Sequence, residues 1–297
     1  MKKVFSERIL SNIMKTMISI CLLMTLTCNV SQAKKPIKVM ILTGQNNHGW
    51  QKSSVMMQDY LNQSGMFEVD MVLSPPKGED MSTFKPDFSA YKAVILDYNG
   101  DMWSEATQAA FLDYVKNGGG VVVYHAADNA FSKWKEYSEI IGLGWGIKDG
   151  HYVYWLDDKM VEDHSEGPAG KHGSQHAFIL KARDRKHPIM KGLPESWTHP
   201  QDELYDSMRG PAKGMTVLAT AFSSLESKGS GRDEPALMTI KWGKGRIFHT
   251  ILGHVWREGN DFPGMESVSF IVTFLRGTEW AATGKVTQKV PDNFPQK

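Results

Sequence analysis

The sequence predicts an α/β protein: a doubly wound, mostly parallel sheet with helices on both faces. Three apolar runs, at 37–43, 93–97 and 121–124, have the composition of strands buried on both faces. Segments with helical periodicity separate them, and glycine or proline ends most of these segments. This alternation of strand and helix is typical of a parallel sheet with crossover helices.

The first predicted strand, residues 37–43, leads into a predicted helix at 52–63, whose apolar residues recur near the helical period. Gly65 stands just beyond that helix, where a left-handed C-terminal residue is common. Residues 67–73 alternate as a strand, and Pro75 marks its end.

The next predicted strand is 93–97. Ser104 is expected to cap a helix that carries its apolar face over 107–116. Three glycines beginning at Gly118 close that helix and lead into strand 121–124.

The second half of the chain has a looser pattern. We predict a short helix at 134–141, a strand at 151–156, and a long polar loop at 157–176 in which His164, His172 and His176 are solvated. Further elements are predicted at 177–182, 217–220, 235–242 and 246–252 (strands) and at 267–280 (helix). We expect one domain over 34–297, with a core of about 37–282 and a loosely held tail.

The N-terminus has the features of a secretory signal peptide. Basic residues precede an apolar run at 17–26, and Ser31-Gln32-Ala33 forms a small-x-small cleavage site. The run is too short to span a membrane comfortably, so cleavage after Ala33 and a periplasmic location are expected. Lipidation at Cys28 is the less favoured alternative, because Thr25 stands where such signals usually have leucine.

Removing the leader removes both cysteines and leaves 264 of the 297 residues. The mature chain therefore has no disulfide and no cysteine nucleophile. It carries 30 basic and 32 acidic residues without a basic tract, so nucleic acid is not an expected partner. Gly142 to Gly146 lacks the spacing and context of a phosphate-binding loop, so no nucleotide cofactor is expected.

Polar residues follow several predicted strands at their carboxyl ends, where open α/β sheets bind ligands. His48 follows the first strand, and His125 and Asp128 follow strand 121–124. The alternative interpretation is that His125 is a hydrogen-bonded core histidine and Asp128 a helix N-cap.

Five short motifs in this order resemble the ThuA-like (trehalose-utilisation) family. They are Thr43-Gly44 with His48; Gly118-Gly119-Gly120 with Tyr124-His125-Ala126-Ala127; His187-Pro188-Ile189 with Gly192-Leu193-Pro194; Asp202-Glu203-Leu204-Tyr205; and Gly245-Arg246-Ile247-Phe248 with Leu252-Gly253-His254. The resemblance implies the flavodoxin-like fold of class I glutamine amidotransferases. It does not imply their chemistry, because Tyr124-His125-Ala126 occupies the place of their nucleophilic cysteine.

The resemblance implies carbohydrate catabolism, with 3-keto-disaccharides or 3-keto-glycosides as substrates. A ketone at C3 acidifies the C2 proton, so a base can remove it, the C1 aglycone can leave, and water can add to the enone. We expect Glu203 or His125 to be the base and His254 the acid or enolate-side ligand. Residues expected to position the sugar are His48, Trp50, Tyr98, Asp128, Tyr205 and Trp256.

His125, Glu203 and His254 are also the expected ligands of one divalent transition metal (zinc, manganese, iron or nickel), with His48 or His151 as a fourth. A metal-free, hydrogen-bonded site is the alternative. Other candidate functions are a two-carboxylate glycosidase using Asp128 and Glu203, a non-catalytic sugar-binding domain, and a scaffold without a site. The expected partner is a sugar, and a homo-oligomer is left open.

Overall fold

A mixed β-sheet of 12 strands organises residues 35–295, which are the part of the chain that the computed structural model describes. The predicted leader, with Cys28, lies outside these residues. Within the described part, no helix has the length and apolar character needed to cross a membrane.

The strands are β1 (Ile37–Thr43), β2 (Phe67–Leu73), β3 (Ala93–Leu96), β4 (Gly120–Tyr124), β5 (His151–Leu156), β6 (Lys159–Asp163), β7 (Lys171–His172), β8 (His176–Ala182), β9 (Ser196–Asp202), β10 (Tyr205–Asp206), β11 (Arg209–Gly210), β12 (Met215–Ser223), β13 (Arg232–Trp242) and β14 (Gly245–Thr250). The α-helices are α1 (Trp50–Gln63), α2 (Glu105–Lys116), α3 (Lys135–Ile141) and α4 (Val268–Thr283).

One half of the sheet is parallel, in the order β2-β1-β3-β4-β14. The four strands that come first in the chain are thus parallel neighbours, in accord with the parallel sheet that their sequence pattern predicts. Every residue of β3 and β4 is buried, as their apolar composition predicts for strands covered on both faces.

The other half is antiparallel and continues through β13, β12, β8 and β9. The α/β class is confirmed, but the sheet is mixed rather than mostly parallel. The reason is local: the two-residue turn Gly243-Lys244 joins β13 to β14, and Gly243 has φ of 58°. So short a turn can connect only antiparallel strands, whereas parallel ones need a crossover of a dozen or more residues.

Helices cover both faces of the sheet. In β14, Phe248 faces α4, where a Cβ on Gly277 would lie 2.1 Å from the Phe248 ring. Gly245 faces the opposite side, where its Cβ would lie 2.6 Å from Val115 of α2. Alternate residues of one strand thus contact helices in two different layers.

Side-chain oxygens cap two of the helices, and the cap at Ser104 is the one that the sequence predicts. Ser104 accepts a hydrogen bond from the Thr107 N–H at 3.3 Å, and Ser267 caps α4 by accepting from the Phe270 N–H at 3.0 Å. The segment after α4 folds back on that helix, where the Glu279 carboxylate accepts a hydrogen bond from the Thr287 N–H at 2.7 Å.

The predicted loop at 157–176 contains strands β6 and β7. Asp157 and Asp158 both have positive φ (47° and 58°), which makes them the two central residues of a type I′ hairpin turn. Aspartate tolerates that conformation, so two consecutive aspartates at this point of the sequence are consistent with a hairpin turn. Strand β9 was not predicted, because His199 and Pro200 interrupt its apolar pattern.

Glu234 of β13 is a buried carboxyl group that should make stability depend on pH. Its Oε1 accepts hydrogen bonds from the Tyr152 hydroxyl and, at 2.6 Å, from the Ser230 hydroxyl. Burial raises its pKa to about 8. Between its ordinary pKa of 4.5 and 8, the folded state keeps a proton that the unfolded state has lost, so stability falls as pH rises, by at most about 1.4 kcal/mol per pH unit.

We therefore expect Glu234→Gln to flatten the pH dependence of the free energy of unfolding across this window, because glutamine stays neutral. Urea unfolding of both proteins from pH 5 to pH 8 measures this. Glu195→Gln, at an exposed position, is the matched control and should leave the slope unchanged. Parallel wild-type and Glu234→Gln profiles would contradict the prediction.

Candidate functional site

Four buried side chains meet at the carboxyl edge of the parallel strands. His48 comes from the loop after β1, His125 directly follows β4, and His254 comes from the loop after β14. Glu203 directly follows β9. One nitrogen or oxygen of each lies within 4.8 Å of one from every other, and we refer to these residues as the His-Glu cluster.

Close backbone packing brings two of the contributing loops together. The Gly49 N–H donates a hydrogen bond to the Val255 carbonyl at 2.8 Å. A Cβ on Gly49 would lie 2.6 Å from the Trp256 carbonyl oxygen, so only glycine allows this approach. As a result, the ring centroids of His48 and His254 are 5.0 Å apart.

His125 has a strained backbone conformation, and a hydrogen bond fixes its ring. Its φ is 42°, a left-handed conformation that histidine adopts only occasionally. The chain turns sharply there after a buried strand, as at the nucleophile elbow of related folds. Its Nδ1–H donates to the Ile251 carbonyl at 2.5 Å, which leaves Nε2 facing Glu203 and 2.9 Å from the Tyr205 hydroxyl.

The Glu203 carboxylate lies at the centre of the cluster. Its Oε1 is 3.4 Å from His254 Nε2, and its Oε2 is 3.7 Å from His125 Nε2 and 3.9 Å from His48 Nε2. A fourth imidazole, His172, approaches from the exposed side with Nε2 3.8 Å from Oε1. One carboxylate is therefore surrounded by four histidine rings.

The charges of these groups follow from burial and mutual contact. Burial would raise the pKa of Glu203, but His125 and His48 outweigh it and hold that pKa well below its usual range. Burial, reinforced by His125, lowers the pKa of His254 to about 4, and burial also lowers the pKa of His48. Burial lowers the pKa of His125 as well, but Glu203 outweighs it and the net direction is upward.

The donor set of the cluster fits a divalent transition metal. Glu203 is ionised and His48 and His254 are neutral at pH 7, so each imidazole carries a lone pair on one ring nitrogen; in His254 that nitrogen is Nδ1, which accepts from the Gln175 amide, and metal binding through Nε2 would require the other tautomer. Among residues 35–295, the buried His254 Nε2 makes no hydrogen bond although it points at Glu203. The outward ring nitrogens of His125 and His48 contact the Ile251 carbonyl and the Asn47 side-chain oxygen, as metal-binding histidines commonly do. Three imidazoles and one carboxylate suit zinc, manganese, iron or nickel, and a bound metal would take the place of the proton on His125 Nε2.

Asp202 connects the backbones that carry two members of the cluster. Its Oδ1 accepts the N–H of Glu203 at 2.8 Å and of His254 at 3.0 Å. Its Oδ2 accepts the N–H of Gly253 at 2.7 Å and is 2.7 Å from His199 Nε2. Burial would raise the pKa of Asp202, but His199 outweighs it and the pKa is lowered. Asp202 precedes Glu203 in the motif, but nothing in the sequence indicates that its carboxylate reaches residue 253.

We expect Asp202→Asn to lower the free energy of unfolding by roughly 2–4 kcal/mol, because an amide cannot accept all four of these hydrogen bonds. Chemical denaturation measures the change. Asp261→Asn is the matched control, since Asp261 also lines the cavity but is exposed. Equal stability of Asp202→Asn and the wild type would show that the carboxylate does not hold these backbones.

The cluster opens onto a cavity of about 630 Å³. Trp145 and Trp256 form parts of its wall, and the Trp256 ring stacks on His254 with centroids 5.5 Å apart. Trp256 is 49% exposed, so its ring has free surface for a ligand. Polar groups beside the cluster include His172 and Gln175, whose amide nitrogen is 3.0 Å from His254 Nδ1.

Of the residues predicted to position a sugar, His48, Tyr205 and Trp256 line this cavity. The structure does not bring the other three there. Trp50 begins α1, and the buried Tyr98 donates its hydroxyl hydrogen bond to the Asp101 carbonyl at 2.7 Å.

Asp128 is the third predicted sugar-binding residue that lies away from the cavity. It is fully buried, and its Oδ2 lies 3.2 Å from His249 Nε2. It is therefore neither a helix cap nor a second carboxylate facing Glu203 across the cavity. His151, considered as a fourth metal ligand, lies instead on β5 with its ring against His164.

His172 and Gln175 belong to this site, although the sequence pattern predicts a solvated loop for them. Strand β7 pairs with β10 so that His172 lies opposite Tyr205, and this places its ring beside Glu203. The pairing involves only two residues in each strand, which is too short to produce a periodic signal.

The family model ThuA, described as trehalose utilisation, matches residues 38–281. The crystal structure of a ThuA-like protein from Parabacteroides merdae is similar, with 56% identity, coverage of 88% of this chain and 95% of that chain, and a TM-score of 0.86. A ThuA-like protein from Bacteroides uniformis shares the fold at 18% identity, with 88% and 98% coverage and a TM-score of 0.56. No curated protein matches the sequence.

Proposed function

We propose that this chain, which belongs to the ThuA family described as trehalose utilisation, is a carbohydrate-catabolism enzyme that cleaves 3-keto-disaccharides or 3-keto-glycosides. The observation that best supports the proposal is the ionised Glu203 carboxylate among four imidazoles, at the base of a cavity with tryptophan in its wall. Such a site holds groups for proton transfer and for charge stabilisation next to a surface that suits a sugar ring.

The proposed reaction begins with removal of the C2 proton beside the ketone. The electron pair forms an enolate, the C1–O bond breaks as the leaving oxygen takes a proton, and water then adds to the enone. No oxocarbenium ion forms, so a second carboxylate facing Glu203 is not required. This accords with the burial of Asp128 away from the cavity.

We propose that His48, His125, Glu203 and His254 hold one divalent transition metal. When bound, the metal supplies Lewis-acid stabilisation of the ketone oxygen as negative charge develops there. His172 is then the group placed to move the proton, because it lines the cavity, is 38% exposed and stands outside the cluster. In the metal-free alternative, Glu203 or His125 is the base and His254 is the acid.

Turnover of oxidised sugars tests the proposed function. The mature protein should convert 3-keto-trehalose or 3-keto-lactose to monosaccharides, detected by mass spectrometry, and unoxidised trehalose and lactose should remain intact. A product lighter by one water would identify a lyase that stops at the enone. Binding of these sugars without turnover would overturn the enzymatic proposal and leave a sugar-binding domain.

We also propose that the protein is exported to the periplasm. Residues 1–33 should be absent from the mature protein, which N-terminal sequencing and intact mass would reveal after fractionation of the native cells. A lipid adduct on Cys28 would instead identify a lipoprotein, and recovery of the full-length chain from the cytoplasm would contradict export.

A further inference from the structure

A second group of metal-ligand side chains lies on the β5–β6 hairpin, separate from the His-Glu cluster. It consists of His151, Glu162 and His164, whose ligand atoms all lie within 4.8 Å of one another. The two imidazole centroids are only 3.8 Å apart. We call this group the hairpin site.

The register of the hairpin explains why these side chains meet. Tyr152 pairs with Asp163 and Val153 with Glu162, so His151 lies opposite His164. Residues directly opposite in antiparallel strands project from the same face, and so do residues two apart in one strand. The register therefore places His151, Glu162 and His164 on one face of the hairpin.

The buried Arg209 holds the backbone on both sides of this face. Its guanidinium donates hydrogen bonds to the Gly150 carbonyl at 3.1 Å and to the Ser165 carbonyl at 2.7 Å. Gly150 immediately precedes His151, and Ser165 immediately follows His164. The two histidines are thus anchored at neighbouring residues, so side-chain rotation alone can bring their nitrogens onto one ion.

We propose that the hairpin site binds one divalent transition metal of the zinc class, with solvent completing the coordination. Two imidazoles and one carboxylate form a donor set that proteins use for zinc with an open position. His151 is half-buried and Glu162 and His164 are exposed, so the ion can enter from solvent. The bound ion joins the start of β5 to the end of β6, where the chain leaves the hairpin towards His172.

Zinc titration of protein purified without an affinity tag and stripped with chelator tests the proposal. Isothermal calorimetry is run on the wild type, on His254→Ala to weaken the His-Glu cluster, and on His151→Ala/His164→Ala. If both sites bind, the wild type takes two equivalents, and the last variant loses one of them. Loss of a hydrogen-bond partner of a metal ligand typically lowers metal affinity roughly 10- to 100-fold. Removing the ligands themselves should lower the zinc affinity of the hairpin site by more than this.

The two proposed metal sites fail in distinguishable ways. If the His-Glu cluster binds no metal, the wild type takes one equivalent, which persists in His254→Ala and disappears in His151→Ala/His164→Ala. If the hairpin site binds none, zinc binding in His151→Ala/His164→Ala equals that of the wild type, which overturns the present proposal.

Two further variants control for misfolding and for non-specific zinc binding. Glu162→Gln changes an exposed side chain without shortening it and should also weaken the hairpin event. His176→Ala removes a histidine outside both groups and should leave binding unchanged. Unchanged zinc affinity in a folded Glu162→Gln would contradict the ligand role of that carboxylate.

Discussion

Replacing Glu203 by glutamine, or His125 by alanine, is expected to lower kcat for a 3-keto-disaccharide by roughly a hundredfold or more, the usual scale for a positioned acid or base. Glu203 is the anion on which the imidazoles of the cluster converge, and glutamine keeps its size while removing its charge. His125 faces the same point from the end of β4. Either change therefore removes a group from the centre of the site, whether or not a metal is bound there.

The matched control is Glu258→Gln, because Glu258 also lines the cavity but is exposed and lies outside the cluster. It should retain near-wild-type kcat. Circular dichroism and thermal melts must accompany the kinetics, since an unfolded variant would indicate a structural role. Folded Glu203→Gln with a normal rate would move the active site elsewhere.

His125 needs a second variant because its backbone is left-handed, with φ of 42°. Alanine there is strained, and it also leaves the Ile251 carbonyl without its donor, so we expect a stability loss of about 1–3 kcal/mol. Asparagine tolerates this conformation better than alanine. His125→Asn should therefore be more stable than His125→Ala while remaining equally impaired in kcat.

Removal of metal from the His-Glu cluster is expected to lower activity by roughly a hundredfold to a thousandfold. Lewis-acid stabilisation of a developing oxyanion contributes several kcal/mol, and each 1.36 kcal/mol is about tenfold in rate. The measurement is turnover of a 3-keto-disaccharide before and after chelation, followed by readdition of zinc, manganese, iron or nickel. Elemental analysis of tag-free protein identifies the native ion.

The same chelation experiment on Glu162→Gln distinguishes loss of metal from the His-Glu cluster from loss of metal from the hairpin site, because Glu162 belongs only to the hairpin site. Chelation should lower activity in this variant by the same factor as in the wild type. Trace metal content together with full activity in chelator would remove the metal from the proposed mechanism. Glu203 or His125 would then be the base of a metal-free site.

Much of the fold could be predicted because its signals are local. Strands β1 and β2 have the predicted bounds, since runs of apolar or alternating residues ended by glycine or proline mark a strand directly. The helix starts at Ser104 and Ser267 follow from side-chain oxygens that satisfy free N–H groups one turn away. Such interactions span three residues, so a single sequence contains them.

The elements that escaped prediction are stabilised by partners distant in the chain. Strand β9 carries His199 and Pro200, and it forms because β8 pairs with it and because Ser269 and Asp202 bond the His199 ring. Strand β7 exists through its pairing with β10 alone among the described residues. In both cases tertiary contacts override a weak local pattern.

For the site, the strand pattern alone places His48 and His125 at one edge of the sheet, because the carboxyl ends of parallel strands meet there. Glu203 and His254 are expected there only through the family resemblance, and it is the folded chain that selects His48 over His151 as the fourth member. Glu203 reaches the cluster from the antiparallel half of the sheet, through an Asp202 carboxylate that bonds the backbone of residues 203, 253 and 254. Asp128, three residues after His125, turns instead to His249. Beyond a strand end, a few backbone angles and long-range hydrogen bonds set a side chain's direction, and residue spacing does not encode them.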